Sequence, residues 1–180
     1  MLCGEGLLLP QLSQLSLSWV ESATVSWAAF PQLAALTVVN AQGLTLQGFP
    51  QLYGLTSLTV QYDGRGQAYW GEADGLLQAA PPSVVRLHIV GGQSKRSQPP
   101  PFHCVRQLTS LACSRLDIVP HLHPLTRLQQ LEVFGQSAAQ VTMEEVEGLC
   151  GLTCLQRLRF GKDFGKKTAS DSRMQVRMVD

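Results

Sequence analysis

A chain of 180 residues with 44% hydrophobic and 15% charged side chains is long enough for one continuous core, too apolar to be generally disordered and too poor in charge to form a coiled coil. Its 14 basic and 13 acidic groups leave a net charge of +1, without the cationic footprint that neutralises a run of phosphates, which argues against nucleic acid as a partner. Five cysteines, Cys3, Cys104, Cys113, Cys150 and Cys154, form an odd and widely spaced set, unlike a disulfide framework, and point to a reducing compartment.

The N-terminus reaches Leu7-Leu-Leu9 without a Lys or Arg, and Pro10 follows at once, so it lacks the charged and apolar regions of a signal peptide. No apolar stretch approaches the roughly 18 residues of a membrane helix. The expectation is a cytoplasmic protein with no membrane partner.

From residue 7 onward one phrase recurs, apolar-x-x-Leu-x-apolar. In chain order its copies are Leu12/Leu15/Leu17, Leu33/Leu36/Val38, Leu55/Leu58/Val60, Val84/Leu87/Ile89, Leu108/Leu111/Cys113, Leu128/Leu131/Val133 and Leu155/Leu158/Phe160. Three residues upstream of each stand Leu9, Phe30, Leu52, Pro81, Val105, Leu125 and Leu152, of which only Pro81 breaks the apolar rule. Alternation at the end of each phrase predicts a short strand whose last two phrase positions point inward. A single such strand cannot cover its own apolar side, so successive strands are expected to stack in parallel and share one elongated core.

Between the third and fourth copies, Glu72 to Ala80 reads as a helix stopped by Pro81-Pro82, whose rings and missing N–H groups end the ladder. Residues 91–101, Gly-Gly-Gln-Ser-Lys-Arg-Ser-Gln-Pro-Pro-Pro, read as an exposed inserted loop, or else as a polyproline ligand. Thr142-Met-Glu-Glu145 has the form of a capping box and predicts a short helix over 143–150. After Phe160 the rhythm stops, and residues 162–180 carry five basic against three acidic groups. The reading divides the chain into a repeat domain over 1–165 and a polar, disordered tail over 166–180, for which a basic contact with an anionic partner is the functional alternative.

The last apolar positions, 17, 38, 60, 89, 113, 133 and 160, lie 21, 22, 29, 24, 20 and 27 residues apart, within the range of about 20 to 29 that characterises leucine-rich repeats. Gly54-Leu-Thr-Ser-Leu-Thr-Val60, Pro124-Leu-Thr-Arg-Leu-Gln-Gln-Leu-Glu-Val133 and Gly151-Leu-Thr-Cys-Leu-Gln-Arg-Leu-Arg-Phe160 carry the resemblance to that family, which spans residues 7 to 165. The resemblance implies an α/β solenoid, a horseshoe segment of about seven irregular repeats, with parallel strands on the concave face and loops and short helices on the convex one. The positions three after each last apolar are Val20, Ala41, Asp63, Gly92, Leu116, Gln136 and Asp163, so the chain departs from the family's asparagine ladder. Irregular repeats of this kind resemble green-algal and F-box-associated proteins, which implies either a substrate-recognition arm of a ubiquitin ligase or an axonemal or cytoskeletal protein, with the cytoskeleton or cilium axoneme as alternative locations. No F-box-like helical segment stands before residue 7.

Three constellations invite a chemical reading. His103, Cys104, Cys113, His121 and His123 are concentrated enough to suggest zinc or a thiol, yet their spacing matches no paired-ligand pattern, and Cys113 sits at an inward strand position. Cys150 and Cys154 are separated by three residues rather than two and read as buried thiols at a repeat boundary. Gly161 to Thr168 differs from a phosphate-binding loop in its spacing and its extra lysine. These features leave a thiol- or metal-dependent enzyme as a distant alternative and predict no enzyme, no cofactor and no metal site.

Outward strand positions supply the remaining surface: Gln14/Ser16/Ser18, Ala35/Thr37/Val39, Ser57/Thr59/Gln61, Arg86/His88/Val90, Ser110/Ala112/Ser114, Gln130/Glu132/Phe134 and Arg157/Arg159/Gly161. The later rows gather the residue types that anchor interfaces. The expected function is therefore a scaffold that binds another protein through Arg86, His88, Val90, Glu132, Phe134, Arg157 and Arg159, with Phe134 exposed. Glu132 and Arg159 are expected to be cross-strand neighbours able to pair with each other. Leu7-Leu-Leu9, Trp19 and Trp27 also predict an uncovered apolar end through which copies of the chain self-associate.

Overall fold

A computed structural model describes residues 8–41, 43–62, 70–91, 100–114, 118–134, 147, 149–161 and 174–176. Every copy of the phrase ends in a strand: β1 Gln14–Ser18, β2 Ala35–Val39, β3 Ser57–Gln61, β4 Arg86–Val90, β5 Ser110–Cys113, β6 Gln130–Phe134 and β7 Arg157–Gly161. A further strand, β8 Met174–Val176, lies in the stretch read as a disordered tail. The eight strands form one sheet in chain order, parallel from β1 to β7, with β8 antiparallel on β7. This order suits an open, solenoid-like α/β arrangement, since parallel neighbours require a return segment between each pair of strands.

Register follows the phrase without a slip. Leu15, Leu36, Leu58, Leu87, Leu111, Leu131 and Leu158 are successive partners across the sheet. So are Leu17, Val38, Val60, Ile89, Cys113, Val133 and Phe160. In the central strands both rows are sealed from solvent, and only Leu15 and Leu158, near the two ends, are half-buried among the leucines. A shift by one residue would turn these side chains to water, which is why the pattern fixes the pairing.

The backbone repeats its hydrogen bonds as faithfully. In each phrase the amide of the first apolar position donates to the carbonyl three residues back, from Leu12 to Leu9 through to Leu155 to Leu152. Pro81 keeps that role, accepting from Val84, and is itself buried. Just before each strand one carbonyl accepts two amides of the next coil: Ser13 from Ala34 and Ala35, Ala34 from Thr56 and Ser57, Thr56 from Val85 and Arg86. Val85, Thr109 and Gln129 continue the series. These bonds satisfy backbone groups that would otherwise be orphaned where the chain leaves its return segment and begins to pair.

Among the described residues the return segments include four single 3₁₀ turns: η1 Trp27–Ala29, η2 Phe49–Gln51, η3 Phe102–Cys104 and η4 Val119–His121. Each sets a large apolar side chain, Trp27, Phe49, Phe102 or Val119, into the core. Trp27 and Phe49 pack with ring centroids 5.0 Å apart, and the Trp27 indole N–H donates to the Thr45 carbonyl at 2.8 Å. Trp27 is therefore core and cannot contribute to an uncovered apolar end, whereas Trp19 is 69% exposed and Leu8 65%. The helix α1 runs Trp70–Gln78, two residues earlier than the spacing predicts, and its last turn closes through the Ala79 amide on the Gly75 carbonyl. The capping box at 142–145 lies outside the described residues, as does 92–99 of the inserted loop; Glu147 and Leu149 are helical.

Candidate functional site

On the outward side of the sheet, register brings the first two residues of the seven triplets into rows that cross the strands. The first runs Gln14, Ala35, Ser57, Arg86, Ser110, Gln130, Arg157, and the second Ser16, Thr37, Thr59, His88, Ala112, Glu132, Arg159. Arg86 and Arg157 are exposed, while His88, Val90, Glu132 and Arg159 are half-buried. Charge and aromatic character therefore gather on β4, β6 and β7, with the small residues of β5 between them.

Two contacts organise this half of the face. Glu132 and Arg159 face each other in register, and a guanidinium nitrogen lies 3.5 Å from the carboxylate oxygen. The pair remains partly solvated, so its contribution to stability is below about 1 kcal/mol. His88 and Phe134 meet edge to face, with centroids 5.5 Å apart and rings inclined at 72°. This second contact bridges β5, whose intervening outward residue is Ala112. A larger side chain there would separate the rings, because β4 and β6 stand roughly two strand spacings, or about 10 Å, apart.

That bridge overturns one expectation. Phe134 is not exposed but only 4% accessible, so it belongs to the packing rather than to the surface a partner would touch. Burial in the same cluster lowers the pKa of His88 below its ordinary 6.5, an effect opposed by the nearby Glu132 carboxylate. His88 is accordingly neutral at pH 7.

Strand exits form a second feature. Two positions after the last strand apolar, Trp19, Asn40 and Gly91 all have positive φ, at 56°, 48° and 84°. Gly91 is the most constrained: a Cβ there would stand 1.7 Å from the Tyr62 carbonyl oxygen. Its amide donates to the Ser114 hydroxyl at 2.9 Å, and that hydroxyl donates to the Gly91 carbonyl at 3.4 Å. Asn and Gly, the residue types that tolerate the left-handed region, were the available signal.

The Cys/His concentration does not converge. His103 and Cys104 lie on η3, Cys113 is buried in β5, and His121 ends η4. Among the described residues no three His, Cys, Asp or Glu side chains are grouped to hold a metal ion. Cys150 and Cys154 are exposed, contrary to the expectation of buried thiols. Leu152 and Leu155 turn into the core, which leaves Cys154 on the solvent side. Among the described residues no helix is long and apolar enough to cross a membrane.

No protein-family model matches the chain, and no curated protein matches it in sequence.

Proposed function

We propose that this chain is a leucine-rich-repeat horseshoe segment of about seven irregular repeats, and a non-catalytic scaffold that binds another protein through its strand-lined concave face. The observation that carries the reading is the unbroken register of seven parallel strands. It commits one side of every strand to the core and leaves the other as a continuous, rigid surface. Rigid surfaces suit binding because little conformational freedom is lost on docking. The composition of the C-terminal half, with Arg86, Arg157 and Arg159 among small polar residues, supports placing the contact there. The free thiols of Cys104 and Cys154 support a reducing, cytoplasmic setting.

The test is to block the face without touching the core. Thr59 and Ser110 are half-buried outward residues, and a large side chain at either would fill the surface above the sheet. Partners crosslinked to the unmodified chain should be lost from Thr59→Arg and Ser110→Trp proteins that retain the native circular dichroism spectrum. Partners retained by both folded variants would show that binding occurs elsewhere.

A further inference from the structure

We infer that the segment received by this face is an extended acidic peptide with two carboxylates four residues apart, held by Arg86 and Arg157; this rests on the reading of the sheet as a protein-binding face. Arg86 and Arg157 occupy the same row, separated only by Ser110 and Gln130. Both are exposed, and among the described residues neither is engaged in an ion pair. Arg159, by contrast, is committed to Glu132, so the row's available charge is two guanidiniums and no carboxylate.

Spacing sets the peptide's geometry. Three strand intervals of about 4.8 Å put the two arginine backbones roughly 14 Å apart, and four residues of extended chain cover about 13 Å. A peptide crossing the strands thus brings side chains i and i+4 to the two arginines, on the same face by the two-residue alternation. An α-helix rises only about 6 Å over the same four residues and keeps its backbone groups to itself. The Ser110 hydroxyl and Gln130 amide lie between the arginines, suitably placed to hydrogen-bond the open backbone of an extended segment. Arginine binds a carboxylate through two parallel hydrogen bonds, which adds geometric selection to charge. A nucleic-acid strand is the poorer fit, since the Glu132 carboxylate lies in the adjacent row and two cations neutralise few phosphates.

Selection of a random ten-residue peptide library on the full chain tests the inference, with fluorescence anisotropy of the enriched peptides and of a single-stranded oligonucleotide as readout. Enrichment of peptides bearing Asp or Glu at i and i+4 is expected. Their affinity should fall at least tenfold in Arg86→Glu and in Arg157→Glu, fall with added salt, and fall when either carboxylate becomes an amide. Enriched peptides without acidic bias that are lost on Ser110→Trp would overturn the acidic assignment while leaving the face as a protein-binding site. No enrichment, enrichment insensitive to Ser110→Trp, or tighter binding of the oligonucleotide would overturn both.

Discussion

Gly91 shows how a single residue type can be required by backbone geometry alone. Its φ of 84° is costly for any residue with a Cβ, and the carbonyl of Tyr62 fills the space that a methyl group would need. Gly91→Ala should therefore destabilise the chain by more than about 2 kcal/mol, read as a lower urea midpoint with an unchanged slope. A midpoint within error of the unmodified chain would refute the strain assignment. His88 makes a second residue-scale prediction, through pH. Its pKa is lowered on folding by burial, so below the ordinary value of about 6.5 the unfolded chain binds protons that the folded chain resists. Stability from this group is complete above about pH 6.5 and is lost as pH falls from there toward the folded value. Urea unfolding at pH 7.5 and 5.5 should show a smaller acid loss for His88→Gln than for the unmodified chain. Equal losses would mean that burial does not perturb this imidazole. The sequence located His88 on the outward row but could not show its burial, because the partner ring, Phe134, comes from two strands away. Adjacent-strand pairing was legible, as Glu132 and Arg159 demonstrate; a contact permitted by the smallness of Ala112 required the third dimension.

At the scale of elements, the phrase encodes both the strand and its neighbour's register, because each inward leucine is covered by the equivalent residue one coil away. Leu58 is fully buried between Leu36 and Leu87, whereas Leu158 is half-buried near the β7 end of the sheet. Leu58→Ala should cost about 2–5 kcal/mol through lost transfer energy and residual cavity, and Leu158→Ala distinctly less. Equal costs by chemical denaturation would show that burial in the stack does not grade with position. Strands were readable because period-two alternation is carried by every copy, and the upstream row tolerated its one exception, the buried Pro81, since an upstream carbonyl and a compact ring are all the turn requires. The 3₁₀ returns were not readable, for they are a single turn long and leave no helical periodicity. β8 was missed for a related reason: three residues, Met174 to Val176, pair with β7 within a stretch whose overall polarity masks them.

Across the whole molecule, each parallel strand bonds only to the strands before and after it in the chain. Stability in such an order is the sum of nearest-neighbour interfaces, so a strand with a complete coil on either side has two interfaces to lose and a terminal strand one. Among the described residues β1 has β2 as its single ladder partner; it half-buries Leu15 and exposes Gln14, Ser16 and Ser18. β3 and β4 stand in the middle, with Leu58, Val60, Leu87 and Ile89 all sealed. Opening should therefore begin at β1 and travel inward, since releasing that strand breaks one ladder while releasing β3 breaks two. Hydrogen exchange followed by mass spectrometry is expected to show the fastest amide exchange in 14–18, slower exchange in 35–39, and the slowest in 57–61 and 86–90. Uniform protection across these strands would mean that the sheet opens only as a single cooperative unit, and that the coils do not contribute independently to its stability.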